Sequence, residues 1–110
     1  MNDQASRIMP VIVELPPEID VTNSGQVLDR LEAALAPGVE VVIADLTSTS
    51  FCDSSGVRAI AHAHERAAAR NVRLQLAVLP DGSVRRVLQL TGIGSLMPLY
   101  PSLEEAVNAA

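Results

Sequence analysis

The segment Phe51-Cys52-Asp53-Ser54-Ser55-Gly56 brings together a thiol, a carboxylate and two adjacent hydroxyls. Two chemistries suit these groups. In the first, a serine hydroxyl in an exposed turn accepts a phosphoryl group. A phosphate at the start of a helix gains from the helix dipole and the free amides there. Here it would also stand beside Asp53, and near Asp20 at the end of the preceding strand. Adding about −1.5 to −2 charges next to carboxylates repels them and changes the surface that a partner reads. In the second, Cys52 and Arg58 are spaced Cys-x5-Arg, the layout of a cysteine-dependent phosphatase: a thiolate at a helix N-terminus and an arginine clamping two phosphate oxygens. Against it, Asp53 opposes a phosphate dianion and the loop has a single glycine. A cysteine beside Phe51 at the end of an apolar strand is also ordinarily an inert filler. The bland alternative to both is that one of the two serines only caps the helix.

The elements that must hold this loop follow from apolar periodicity. Residues 9–15 read as a strand, with Pro10 at an edge or a strand start and Pro16-Pro17 ending it. Residues 22–36 read as a helix, with Val27, Leu28, Leu31, Ala34 and Leu35 on one stripe, Asp20 and Thr22 as candidate N-caps and Pro37-Gly38 as the stop. Residues 39–46 are almost continuously apolar, a strand buried on both faces. After the polar stretch Thr47 to Ser50 and the chemical loop, a helix runs to about Arg70, with Val57, Ile60, Ala61, His64, Ala67 and Ala68 inward. Residues 72–79 alternate, placing Val72, Leu74, Leu76 and Val78 on one strand face. Asp81-Gly82-Ser83 caps a third helix that turns Val84, Val87 and Leu88 inward and ends at Gly92 and Gly94. Leu99-Tyr100 is a short strand, and Ser102 with Glu105 forms a capping box for a last helix. Strands alternating with helices imply βαβ units and a mostly parallel sheet. The chemical loop and the turn after residue 15 then share the end of the sheet where α/β proteins place their sites.

Composition narrows the function. The 110 residues make one domain, with a net charge of −5 and no lysine. Phe51 and Tyr100 are the aromatic residues, too few for stacking on nucleic-acid bases. Residues 1–45 carry eight acids and two arginines, residues 46–110 five acids and six arginines. The acidic front half disfavours phosphate backbones and suits a solvated face or a basic partner protein. Arg85-Arg86 then reads as a solvated helix face. The lone Cys52 points to a reducing compartment, hence the cytoplasm. No signal peptide and no membrane span are expected. His62 and His64, at i and i+2, point to different sides of their helix, so no metal site is expected.

The chemical loop closely resembles the aromatic-x-Asp-Ser-(Ser/Thr)-Gly signature of the STAS domain family, which includes bacterial anti-sigma factor antagonists. Glu18-Ile19-Asp20 resembles that family's Glu-(Ile/Leu)-Asp, and Leu90-Thr91-Gly92-Ile93 its Thr/Ser-Gly-Leu turn. The three motifs stand in family order. The resemblance implies a single STAS-like α/β domain over residues 1–110, with a mixed, mostly parallel sheet of four or five strands and about four helices. It implies that the unmodified chain binds an anti-sigma factor that is also a serine kinase, freeing a sigma factor. Phosphorylation of Ser54 ends binding, and a serine phosphatase restores it. Asp20, Asp53, Ser55, Gly56, Arg58, Thr91 and Gly92 are the implied partner-binding residues. The chain itself would hold no catalytic residue and no cofactor, ATP being bound by the kinase. A scaffold module of a transporter, a lipid-transport system or a stress complex is the family's alternative role. Two departures stand out. Only about eight residues precede the first strand, so residues 1–8 are expected to be flexible or a truncated first strand, with an edge open to pairing and a monomer or weak dimer as the outcome. Pro16-Pro17 replaces the family's usual glycine.

Overall fold

The computed structural model describes residues 9–110, and the expectation for residues 1–8 lies outside them. The elements run β1 (Val11–Glu14), β2 (Glu18–Ile19), α1 (Ser24–Ala33), β3 (Val41–Asp45), β4 (Phe51–Cys52), α2 (Ser54–Ala69), β5 (Arg73–Ala77), α3 (Ser83–Leu90), a 3-10 turn (Ile93–Ser95), β6 (Leu99–Tyr100) and α4 (Leu103–Asn108). β1, β3, β5 and β6 form one sheet in that order, and β2 and β4 form a separate two-stranded ladder. Among the described residues every ladder is parallel, as β-α-β alternation requires. β1 starts directly after Pro10, whose missing N–H has no place inside a ladder.

Register decides what each face buries. Val13, Ala44 and Leu76 stand side by side across β1, β3 and β5 and turn to the main core. There they meet Val27 and Leu31 of α1, Ile60, Ala63 and Ala67 of α2, and Val84 and Leu88 of α3. Val41, Ile43 and Ala77 turn the other way, against Ala106 of α4, with Tyr100, Leu103 and Val107 around them. β3 is therefore buried on both faces, as its uninterrupted apolar run predicts. β5 is buried on both faces as well from Leu74 to Ala77. The alternation of residues 72–79 identifies only its larger core face. Gln75, on the opposite face, reads as a solvent position in sequence, yet it is 2% exposed and donates from Nε2 to the Ala106 carbonyl at 2.9 Å. That bond ties the C-terminal helix to the sheet.

Some expected boundaries move. Phe51–Cys52 does not continue the strand of residues 39–46. That strand ends at Asp45, a turn over residues 46–50 intervenes, and Phe51–Cys52 pairs instead with Glu18–Ile19. α1 starts at Ser24 with Asn23 in the cap position, so Asp20 and Thr22 are not its caps. Asn23 faces backwards, its Nδ2 donating to the Glu18 carbonyl and its Oδ1 accepting from the Asp20 amide. The inner face of α2 carries Ala59 and Ala63, while Ala68 is exposed and Ala61 and His64 are half-buried. α1 packs along this stripe of small side chains, so shape rather than hydropathy sets the buried face. At α3 the cap falls inside Asp81-Gly82-Ser83, on Gly82, with φ of 110° and no side-chain cap. The Ser83 hydroxyl donates to the Ser50 carbonyl at 3.3 Å instead. At α4 the Glu105 amide donates to the Ser102 hydroxyl at 3.1 Å, which is the predicted half of the capping box. The Glu105 carboxylate accepts from that same hydroxyl at 3.2 Å rather than from the Ser102 amide.

Gln75→Met keeps the volume and removes the donor, leaving the buried Ala106 carbonyl without a partner. The expected loss is about 1–3 kcal/mol of stability, read by urea denaturation. An unchanged midpoint would mean that α4 docks through its apolar contacts alone.

Candidate functional site

The site is built by one repeated turn. Asp20, Asp45 and Asp53 each stand at or just after the end of a strand, β2, β3 and β4, and each is followed two residues later by a hydroxyl residue. In all three the Oδ1 atom accepts from both the amide and the hydroxyl of that residue. The distances are 2.9 and 2.5 Å from Thr22 to Asp20, 2.9 and 2.6 Å from Thr47 to Asp45, and 2.9 and 2.5 Å from Ser55 to Asp53. A short acidic side chain is suited to this because it reaches its own backbone two residues on. The device turns the chain at the C-terminal ends of the parallel strands, where the candidate loop lies.

Asp53 also caps α2. Its backbone is extended, and its Oδ1 accepts from the Gly56 amide at 3.3 Å in addition to the Ser55 groups. The helix therefore begins on a carboxylate, not on a serine. The bond from the Ser55 hydroxyl holds the Asp53 carboxyl below its ordinary value of 3.8. Partial burial opposes this, and the Gly56 and Ser55 amides assist it. The two serines consequently differ. Ser55 is half-buried and its hydroxyl is committed to Asp53. Ser54 is exposed, and among the described residues its hydroxyl has no hydrogen-bond partner.

The β2–β4 ladder brings Asp20 to this loop. Glu18 pairs with Phe51 and Ile19 with Cys52, and the Asp53 amide donates to the Ile19 carbonyl at 3.1 Å. The next residues of the two strands, Asp20 and Asp53, leave the ladder as neighbours. Gly56 lets α2 start so close to it. A Cβ at Gly56 would stand 2.6 Å from Cys52 Sγ and 2.7 Å from Ile19 Cγ2. What the structure shows of Gly56 is packing, since it is buried. Arg58 is exposed one turn into α2. With Ser55, it borders a shallow groove of about 210 Å³ between α1 and α2, lined also by Val21, Ser24, Gly25, Leu28, Ala59 and His62. Val21 is 77% exposed, an apolar residue held in solvent at the mouth of this groove. The sequence reading passes over it, although its place in the polar stretch Asp20-Val21-Thr22-Asn23 is the available signal. Phe51 is likewise half-exposed beside the loop.

Thr91 and Gly92 end α3, whose Ser83 end touches the Ser50 carbonyl. The Thr91 hydroxyl donates back to the Leu88 carbonyl, and Gly92 takes the left-handed φ of 76° that ends the helix. Cys52 and Arg58 do not form a nucleophile pair. Cys52 is buried under α2 whereas Arg58 faces solvent. Burial, with the Asp53 charge second, pushes the thiol up to about 11, the reverse of what a thiolate nucleophile needs.

Three outcomes test this geometry. Gly56→Ala should cost about 1–3 kcal/mol through overpacking, and Cys52→Ala in the same chain should recover part of it; additive losses would remove the close approach as the cause. In a carbon-13 titration the Asp53 carboxyl should ionise below 3.8. Ser55→Ala should move it back up, and no movement would show that the hydroxyl is not the main cause. Because folding lowers this ionisation, its contribution to stability is present above the unfolded value and fades as pH falls through the folded one. Cys52 should resist alkylation at neutral pH until the chain unfolds, and rapid labelling of the native protein would contradict its burial.

Comparison with known proteins agrees with this architecture. A model of the STAS domain matches residues 2–106. The anti-sigma-F factor antagonist RsfA of Mycobacterium tuberculosis is 32% identical over 101 residues, spanning 90% of this chain and 78% of the relative. The crystal structure of an anti-sigma factor antagonist from Mycobacterium paratuberculosis superposes with a TM-score of 0.78 at 26% identity, covering 89% of this chain and 82% of the other. SpoIIAA is 29% identical in two forms. Its unphosphorylated structure has a TM-score of 0.73 and covers 91% and 86% of the two chains. The phosphorylated structure, of the Bacillus protein, has a TM-score of 0.65 and covers 91% and 89%. With nearly its whole length matched and the Asp-Ser-Ser-Gly loop at the start of α2, the chain belongs to the STAS domain family.

Proposed function

We propose that this protein is an anti-sigma factor antagonist whose binding to an anti-sigma factor is switched off by phosphorylation of Ser54. The observation that carries the reading is the asymmetry of the two serines. The Ser54 hydroxyl is exposed and uncommitted at the first position of α2, while the Ser55 hydroxyl is locked on Asp53. Support comes from the names of the relatives, antagonists of anti-sigma factors, and from SpoIIAA, which occurs in unphosphorylated and phosphorylated forms.

In this reading the anti-sigma factor is also the kinase and brings ATP. The Ser54 oxygen forms a bond to the γ-phosphorus, the bond to the β-phosphate oxygen breaks, and ADP leaves. The serine proton passes to a base on the kinase, Oδ1 of Asp53 being taken by Ser55 and Gly56. Asp20, Asp53, Ser55, Arg58 and the groove beside them form the surface the kinase meets. Unmodified, this surface presents the carboxylates of Asp20 and Asp53 and the guanidinium of Arg58, which has no partner among the described residues. A phosphate there adds about −1.5 to −2 charges at a point already flanked by Asp20 and Asp53, and a partner that accommodates the neutral hydroxyl releases it. A serine phosphatase resets the chain. The reaction takes place in the cytoplasm, and the chain contributes no catalytic group and no cofactor of its own. None of its described helices is long and apolar enough to cross a membrane.

Ser54→Asp should weaken binding to an anti-sigma kinase by about tenfold or more, a change of roughly 1.4 kcal/mol, in titration calorimetry. Ser54→Ala should bind like the wild type and take up no phosphate. Equal affinity of the wild type and Ser54→Asp would sink the switch.

A further inference from the structure

The geometry points to Arg58 as the residue that receives the Ser54 phosphate, closing the start of α2 into an internal phosphate–guanidinium pair. The inference rests on Ser54 being the phosphoacceptor. Ser54 and Arg58 lie four residues apart on one helix, so they share a face with their Cβ atoms about 5–6 Å apart. Long helical side chains lean toward the N-terminus of their helix. The Arg58 side chain can therefore reach the turn that carries Ser54, and an acid four residues before a base is the favourable order. A guanidinium grips phosphate oxygens in pairs. Arg58 is also available. Arg66 is paired with Glu32, and Arg70 and Arg85 donate to backbone carbonyls, whereas among the described residues Arg58 has no hydrogen-bond or ion-pair partner.

The usual place for a phosphate at a helix start is taken. The Ser55 and Gly56 amides already donate to Asp53, and the Ser55 hydroxyl does too. A phosphate on Ser54 meets a carboxylate there and is turned away from Asp53. One turn further along α2 stands Arg58, which borders the α1–α2 groove with Ser55. The modification then does two things at once: it adds an anion, and it withdraws the guanidinium that the unmodified surface offers.

The test uses the full chain with phosphoserine encoded at position 54 during translation, so that it depends on no kinase. The second ionisation of the phosphate is followed by phosphorus-31 NMR against pH. Arg58→Gln should raise its midpoint by about 0.3 pH unit or more, and Arg58→Lys should fall between it and the wild type. Arg73→Gln removes an exposed charge at the opposite end of the sheet and should shift the midpoint by no more than about 0.1. A midpoint in Arg58→Gln equal to that of the wild type, or a shift no larger than that of Arg73→Gln, would overturn the pairing. A kinase that ignores Ser54 would defeat the proposed function and leave this result standing.

Discussion

The site depends on a two-residue ladder. Ile19 opposite Cys52, with the Asp53 amide held by the Ile19 carbonyl, sets where two strands end. Everything at the loop follows from that register. Asp20 and Asp53 leave it side by side, Asp53 caps α2, and Ser54 becomes the first helical residue. A slip of one residue would reverse the faces of the pair and carry Cys52 out of the core. Gly56 guards the same register from the helix side, since there is no room for a Cβ between α2 and Cys52. The ladder is too short to hold itself. It is held by the core beneath it, through Ile19 and Cys52, and by the bonds of Thr49 and Ser50 to the Pro16 and Pro17 carbonyls.

Those last bonds give the proline pair a physical place. Proline donates nothing, so Pro16 and Pro17 cannot extend β1, yet their carbonyls remain free to accept. Thr49 donates to Pro16 from a buried position, and Ser50 donates to Pro17 through both its amide and its hydroxyl. The two segments that meet at the site are thereby joined just before the ladder begins. Rigidity of this kind suits a switch that works by charge. In the proposed switch, a phosphate on this held backbone would change the local field rather than the fold.

Much of this was legible in the residues. The buried run of residues 39–46 announced the central strand, and the stripe Val27, Leu31 and Leu35 announced α1. The Asp-Ser-Ser-Gly loop announced a helix start that carries two hydroxyls. What escaped did so for physical reasons. Two-residue strands show no period, so nothing in the residues revealed that β2 and β4 pair with each other in a ladder of their own. Asp and Ser are both good caps, and only the fold decides that Asp53 takes the role and leaves Ser54 free. Buried Gln75 looks like a solvent position because its partner, the Ala106 carbonyl, is a backbone group that no pattern reveals. Thr91 and Gly92 carried a motif, and what the structure shows of them is the end of α3.

The central claim is that the fold offers one serine and locks its neighbour. It is tested most directly by incubating the chain with ATP and an anti-sigma factor that has serine kinase activity, then locating the phosphate by fragment-ion mass spectrometry. The account predicts a single phosphate, on Ser54. Phosphate on Ser55 with Ser54 unmodified would contradict it.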